Sequence, residues 1–298
     1  MDSDRLAIRL PERGMKILRF PLTRFILALL FLVVFTGLAM GLGSWIRKDI
    51  ISQELKLLGS VIQMILACSF ALTGYAFYCS TIEGRRVHEL NPAKGMRQTL
   101  YGLLLGFGFI SLIMLIMWLT GGYQVTGFNS VSALWPFLIM SIQAGIVEEI
   151  LSRGIIFRIA EDGIGTWWSV VLSAFIFGFM HIWNPNATVF SSVSIALTAG
   201  VILAMLYVIT RQLWIPIGLH IGWNLTLGGI YGAPVSGGEP GGLLTTHFSG
   251  PEWLTGGAFG PEASVITVIV FIVFGGYLIR KSIRDKSYVK PLWRIKND

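Results

Sequence analysis

The chain alternates long apolar segments with short polar connections, and the apolar segments are long enough to cross a lipid bilayer as helices. A spanning helix needs about 20 mainly apolar residues, because each residue adds about 1.5 Å and the hydrocarbon core is about 30 Å thick. About eight segments have this character. They are Leu22–Ile46, Leu57–Ile82, Leu100–Thr120, Val131–Ile159, Thr166–Trp183, Val189–Thr210, Trp214–Ile230 and Ala263–Ile279. The pattern predicts an all-α, polytopic membrane helix bundle with about eight transmembrane helices.

The composition agrees with this pattern. Of the 298 residues, 54% are hydrophobic and only 13% are charged, and the mean hydropathy is +0.69, which excludes an ordinary soluble domain. We divide the chain into a basic N-terminal segment, residues 1–21, a transmembrane bundle, residues 22–279, and a basic C-terminal tail, residues 280–298. No separate soluble domain fits between the spans.

The formal net charge of +7 arises from basic residues that cluster beside the spans. This distribution indicates membrane orientation and attraction to anionic lipid, not nucleic-acid binding. Both termini are predicted to be cytoplasmic, with Arg85 and Arg86 in a cytoplasmic connection and the uncharged residues 121–130 outside. Arg47 and Lys48, on the predicted outer side, run against the rule. We expect a multi-pass integral membrane protein, in the plasma membrane if the source is prokaryotic.

Three charged residues, Glu148, Glu149 and Arg153, lie inside the fourth apolar segment, and Arg158 follows at its end. At a helix centre in the membrane, a charged side chain costs roughly 2.5 to 3.5 kcal/mol on insertion scales, so such residues face a bundle interior or a water-filled cavity. Neighbouring helical residues point about 100° apart, so Glu148 and Glu149 are expected to have different roles. Glu149 and Arg153 stand four residues apart and are predicted to form an ion pair, which leaves Glu148 for chemistry. The structural alternative is a cluster that only packs against other helices.

Two histidines and an asparagine lie in later apolar segments. The fourth and fifth segments should form a hairpin with its bend near residues 163–165, which gives Glu148 and His181 similar depths and predicts contact between them. His220 and Asn224 stand four residues apart on one face of the seventh helix. Because the orientation places Glu148 in the inner half or near the middle of the bilayer, we expect a cavity open to the cytoplasm to reach it.

These residue types match the requirements of amide hydrolysis. A carboxylate takes a proton from water, an imidazole helps to position that water, and neutral donors stabilise the oxyanion. A metal site is the second interpretation, in which His181, His220 and Glu148 would hold a divalent ion such as zinc with one position open for water. The H-E-x-x-H spacing is absent, and the residues alone leave a metal cofactor open.

The order of three short motifs resembles that of the CAAX protease and bacteriocin-processing family of intramembrane endopeptidases, also called the Abi family. The motifs E-E-x-x-x-R, F-x-x-x-H and H-x-x-x-N/D correspond to Glu148, Glu149 and Arg153, then Phe177 and His181, then His220 and Asn224. They fall within residues 134–230, which we expect to form the catalytic core of the bundle.

The resemblance implies roles for these positions. Glu148 and His181 would activate the hydrolytic water, and His220 with Asn224 would form the oxyanion hole. Glu149, Arg153 and Phe177 would support the site. The resemblance also implies that a metal is dispensable, although the family is often described as metalloproteases.

The implied partners are membrane lipid and a peptide or prenylated, or otherwise lipidated, protein substrate. In a cell without protein prenylation, a leader peptide or a bacteriocin precursor would take that place. Two other function classes stay open, namely a non-catalytic scaffold or immunity protein and a proton-coupled transporter, although no inverted repeat supports the transporter. The glycine-rich residues 232–261 are expected to form an irregular outer loop.

Overall fold

The protein is described by a computed structural model at residues 20–46, 48 and 55–292. Most of the predicted basic N-terminal segment and the last six residues of the C-terminal tail lie outside these ranges. The α-helices of the described residues are α1 Pro21–Trp45, α2 Lys56–Thr81, α3 Pro92–Leu119, α4 Leu134–Glu149, α5 Arg158–Met180, α6 Val189–Ile195, α7 Val201–Thr210, α8 Trp214–Asn224, α9 Glu252–Thr255 and α10 Val265–Arg284. The predicted all-α polytopic bundle is confirmed.

Segments of π-helix join or extend several of these helices. Residues Ile150–Phe157 connect α4 to α5, Ala196–Gly200 connect α6 to α7, and Leu225–Ile230 extend α8. Six helical stretches of the described residues are long and apolar enough to cross a membrane. This number is smaller than eight because the continuous stretch Val131–Trp183 contains two predicted spans, and because α8 with its π-helical extension is shorter than 18 residues.

The hairpin between the fourth and fifth predicted spans bends at Gly165. This residue has φ 73° inside an otherwise helical stretch, a conformation that favours glycine. A Cβ atom at Gly165 would also lie 2.7 Å from the backbone nitrogen of Pro291. The bend expected near residues 163–165 is therefore confirmed, and the C-terminal segment packs directly against it.

The two ends of the bundle carry different connections. At one end, which we call the network end, the α2–α3 connection, the Gly165 bend and the C-terminal segment meet the α7–α8 connection. Here Leu213 N donates to Glu89 O at 2.8 Å, and Thr166 N donates to Val289 O at 3.0 Å. At the opposite end, the ribbon end, Asn184 Nδ2 donates to Ser236 O at 3.1 Å. The connections alternate between the ends as an antiparallel bundle requires.

A two-stranded antiparallel ribbon, which the sequence reasoning missed, marks the ribbon end. Strand β1, Tyr123–Phe128, comes from the uncharged connection after α3, and β2, Leu244–Phe248, comes from the glycine-rich segment 232–261. Tyr123 lies opposite Phe248 in the register. The expectation of an irregular outer loop is therefore corrected in part, because β1 supplies backbone partners for one section of it.

Close packing of α3 on α8 fixes the helix that carries His220 and Asn224. A Cβ atom added to Gly218 would lie 2.2 Å from Thr99 O, and one added to Gly222 would lie 2.5 Å from Leu103 O. Only glycine permits the two backbones to approach this closely. His220 stands between these two glycines, so its depth and direction are set by a rigid helix contact.

Candidate active site

Glu149 is the centre of a fully buried polar cluster. Its Oε1 accepts a hydrogen bond from Arg153 Nη1 at 2.8 Å and lies 3.0 Å from His220 Nδ1. Both Glu149 and Arg153 have side chains that are 0% exposed. The predicted Glu149–Arg153 ion pair is confirmed. The additional contact with His220 was not predicted, and it gives Glu149 a second partner on α8.

Arg153 extends the cluster to other parts of the core. Its Nη2 donates to Gly200 O at 3.0 Å, in the π-helical segment between α6 and α7. The guanidinium carbon lies 4.5 Å from the centre of the Phe177 ring, within the range of a cation–π interaction. The Phe177 ring in turn contacts His220, with ring centroids 5.9 Å apart. Phe177, which was predicted to support the site, thus packs against both the Arg153 guanidinium and the His220 imidazole.

The two histidines are each held through Nδ1. His181 lies at the C-terminal end of α5, and its Nδ1 is 2.7 Å from Phe177 O. A carbonyl oxygen only accepts hydrogen bonds, so His181 Nδ1 carries the proton. In His220, Nδ1 faces the Glu149 carboxylate and Nε2 lies 3.9 Å from Glu148 Oε2. Fixing one ring nitrogen defines the direction of the other, as in many catalytic histidines.

A small cavity lies at the junction of α5, α7, α8 and the glycine-rich segment. Its walls include His181, His220 and Asn224, together with Ser236 and Glu262. The volume is about 20 Å³, which is sufficient for one water molecule. The structure therefore brings three of the four predicted catalytic side chains to one water-sized space.

Glu148 occupies a different position from the one expected. Its Oε2 is buried and has no hydrogen-bond partner among the described residues, and no ion pair joins it to His181 in that part of the chain. Glu148 instead lines a second cavity, of about 540 Å³, between α2 and α4. The predicted direct contact between Glu148 and His181 does not form among the described residues, because the phase of α4 directs Glu148 toward α2, and its Oε2 pairs with His220 Nε2 at 3.9 Å instead.

The second cavity bears on the expected direction of access. Its lining residues Leu57 and Gln63 lie in the first half of α2, and Pro136 and Met140 lie in the first half of α4. These halves point to the ribbon end, whereas the predicted cytoplasmic charges lie at the network end. If the network end is cytoplasmic, as the charges predict, this cavity lies toward the outer side of the membrane and does not open to the cytoplasm.

The donor set does not fit a metal ion. Among the described residues, no three His, Cys, Asp or Glu side chains come together in an arrangement that could hold one. The proposed ligands His181, His220 and Glu148 are divided between the two cavities, and His220 Nδ1 is engaged by Glu149. The metal-site interpretation is thus not supported by the placement of these side chains.

Glu262 is a site residue that the sequence reasoning missed. It lies in the turn Pro261–Ala263 just before α10, is 5% exposed, and lines the small cavity. Burial raises the pKa of its carboxyl group, while a hydrogen bond from Ser236 and the nearby His181 favour the charged form. One feature of the sequence could have identified it. Glu262 is an acidic residue placed directly before the last apolar segment, at the end of a long glycine-rich connection.

Comparison with known proteins supports the motif assignment. Residues 130–226 match the family model described as type II CAAX prenyl endopeptidase, Rce1-like. Neither the curated proteins nor the solved structures include a match to the chain. The matched segment contains all three motifs and the buried cluster around Glu149. The resemblance drawn from the motifs is confirmed, and the chain is similar through this segment to the Rce1-like type II CAAX prenyl endopeptidases.

Proposed function

We propose that the protein is an intramembrane endopeptidase that hydrolyses a peptide bond of a membrane-delivered or lipidated peptide. The observation that carries this proposal is the position of His220. Its Nδ1 is held by buried Glu149 at 3.0 Å and its Nε2 points toward Glu148 at 3.9 Å, beside a cavity sized for one water. An imidazole held in this way is suited to donate a hydrogen bond to a developing oxyanion, while the adjacent Glu148 carboxylate is suited to proton transfer.

In the proposed reaction, the oxygen of a water molecule attacks the carbonyl carbon of the scissile bond. Glu148 takes the proton from that water, since its Oε2 has no hydrogen-bond partner among the described residues. We place that water beside His220 Nε2, which borders both the small cavity and Glu148, so that His181 orients it from the small cavity while the Asn224 amide donates to the developing oxyanion. A proton on His220 Nε2 would supply the second donor. The proton then moves from Glu148 to the leaving nitrogen as the C–N bond breaks.

The cavity between α2 and α4 is the proposed substrate-binding space. It is lined by apolar side chains such as Ile139, Met140 and Val147, by the polar Gln63, and by Glu148. An apolar wall suits a lipid chain or an apolar peptide side chain, while the polar groups suit a peptide backbone. This arrangement favours a prenylated or otherwise lipidated peptide over a soluble one.

The first experiment compares cleavage of a membrane-delivered peptide library by the wild type and by Glu148→Gln, with products identified by mass spectrometry. We expect cleavage to fall at least about 100-fold in Glu148→Gln, since general base catalysis contributes that much or more. Glu252→Gln, a change at an exposed acid, is the matched control. Retained cleavage in Glu148→Gln would contradict the mechanism.

A chelator arm of the same experiment separates the two chemical interpretations. If Glu148 activates water directly, wild-type cleavage continues in chelator. Loss of cleavage in chelator, restored by a divalent ion, would favour a metal site that forms only with substrate bound. Absence of cleavage by the wild type across the library would favour the scaffold or immunity interpretation.

We further propose that the network end is cytoplasmic, on the basis of the basic residues next to the first and last spans. In sealed cells, a membrane-impermeant thiol reagent should then label Thr245→Cys at the ribbon end but not Lys94→Cys at the network end. The native Cys68 and Cys79 are buried, so background labelling should be low. The opposite labelling pattern would place the opening of the α2–α4 cavity on the cytoplasmic side.

A further inference from the structure

One buried carboxylate of the small cavity has no part in the proposed reaction. Glu262 lies outside residues 130–226, the segment that matches the family model. It shares the cavity with His181, His220 and Asn224. A charged group is rarely buried unless its hydrogen bonds are satisfied, so the partners of Glu262 indicate what it does.

Both carboxylate oxygens of Glu262 accept hydrogen bonds from fixed N–H donors. Oε1 accepts from Trp223 Nε1 at 2.9 Å, and Oε2 accepts from the backbone nitrogen of Ser236. The backbone oxygen of Glu262 also accepts from Ser194 Oγ at 2.6 Å. Glu262 therefore connects α8, the glycine-rich segment and α6 at one point.

These hydrogen bonds hold residues that line the small cavity or neighbour its lining. Trp223 precedes Asn224 and follows His220 by three residues, so a fixed indole restricts the rotation of α8 about its axis. Ser236 lies in the cavity wall opposite the helices and has a left-handed φ of 48°. Without the Glu262 carboxylate, both the wall and the orientation of α8 would lose an anchor.

We propose that Glu262 is a positioning residue of the active site, which joins the Ser236 wall to Trp223 and so holds His220 and Asn224 around the water-sized cavity. This inference rests on the proposed function. Glutamine cannot replace glutamate here, because it offers one oxygen and one NH₂ group to two N–H donors. One donor would then face another donor in a buried place.

The test uses Glu262→Gln and Trp223→Phe, singly and together, in the full chain in lipid nanodiscs. For Glu262→Gln we expect kcat to fall by up to about 100-fold, the effect of small misplacements in an active site. KM should change by less than about twofold, because the proposed substrate cavity lies elsewhere. In the Trp223→Phe background the loss should be smaller, since the glutamine oxygen is free to accept from Ser236. Glu252→Gln is again the control.

A second measurement does not depend on cleavage. The rate of labelling by a water-soluble thiol reagent is measured for two proteins, the single variant Ser236→Cys and the double variant Ser236→Cys with Glu262→Gln. We expect faster labelling in the combination, because the wall has lost its anchor. Labelling at an unchanged rate would overturn the proposal whatever the effect on kcat, and so would an unchanged kcat.

The two proposals fail in different ways. If the wild type cleaves nothing, the proposed function fails, while thiol labelling still decides whether Glu262 anchors the wall. If Glu262→Gln does not fold, Trp223→Phe removes one of the same two hydrogen bonds and keeps an aromatic ring. A normal kcat in Trp223→Phe, with normal labelling of Ser236→Cys in that background, would then overturn the role of Glu262.

Discussion

Two clusters of arginine and glutamate in this protein differ in how completely their hydrogen bonds are satisfied. At the network end, Glu83 accepts from Arg24 at 2.7 Å, Arg85 at 2.7 Å, Arg158 at 3.0 Å and Tyr78 at 3.1 Å. Every one of these partners comes from a described helix or connection. The cluster joins the ends of α1, α2 and α5, and its chemistry is that of a structural bridge.

The cluster around Glu149 is deeper and less complete. Glu149 Oε1 serves both Arg153 and His220, whereas Glu149 Oε2, Arg153 Nε and Glu148 Oε2 have no hydrogen-bond partner among the described residues. Buried polar atoms without partners are costly, and each one calls for an explanation such as a catalytic role. The same residue types thus form a redundant structural network at one end and, in the centre, a cluster with hydrogen-bonding capacity left for a reaction.

The largest expected difference between the clusters concerns Arg153. Arg153→Met would leave the Glu149 carboxylate buried without its cation, which typically costs about 3–5 kcal/mol in the free energy of unfolding. We expect this loss in denaturation of the purified protein in detergent micelles. Arg153→Met combined with Glu149→Leu should recover most of the stability. A single variant as stable as the wild type would show that Glu149 does not depend on Arg153.

The next effect is a pH dependence at the network end. Burial would raise the pKa of Glu83, but the charge of Arg158 and the hydrogen bonds from Arg85 and Arg24 outweigh burial and lower the pKa from 4.5 to about 2. Because the folded-state pKa is depressed, the stabilisation is complete above about pH 4.5 and is lost as the pH falls toward 2. The shift corresponds to roughly 3 kcal/mol.

Thermal unfolding between pH 7 and pH 2 measures this effect. Glu83→Gln should be less stable than the wild type at pH 7 and should lose less stability on acidification. Part of the acid dependence should persist in this variant, because hydrogen bonds and charge from Arg85 also outweigh burial at Glu89 and lower the pKa of that carboxyl group. Parallel curves for wild type and Glu83→Gln over the whole range would contradict the assignment.

The comparison also shows which features a sequence reveals. Helical spacing was sufficient to predict the Glu149–Arg153 pair, and the glycines near residue 165 were sufficient to predict the bend. The Glu149–His220 contact was missed because its partners are 71 residues apart on different helices, and spacing within one helix does not give the rotation of one helix relative to another. Glu262 was missed for a related reason, since a residue in a long connection has no periodicity that gives its direction.

The smallest effect tests the redundancy of the network end. Arg24→Gln removes one of the three arginines around Glu83, and Arg85 and Arg158 stay within hydrogen-bonding distance. Arg24 donates two hydrogen bonds to Glu83 and one to Asp162, but because the other two arginines still hold Glu83 we expect a loss of only about 1 kcal/mol in the free energy of unfolding. Asp162→Asn, at a side chain that is 54% exposed and also paired with Arg24, should cost less than Arg24→Gln. A loss from Arg24→Gln as large as that from Arg153→Met would mean that Glu83, like Glu149, depends on a single cation, and the distinction between the two clusters would then rest on the unpartnered atoms alone.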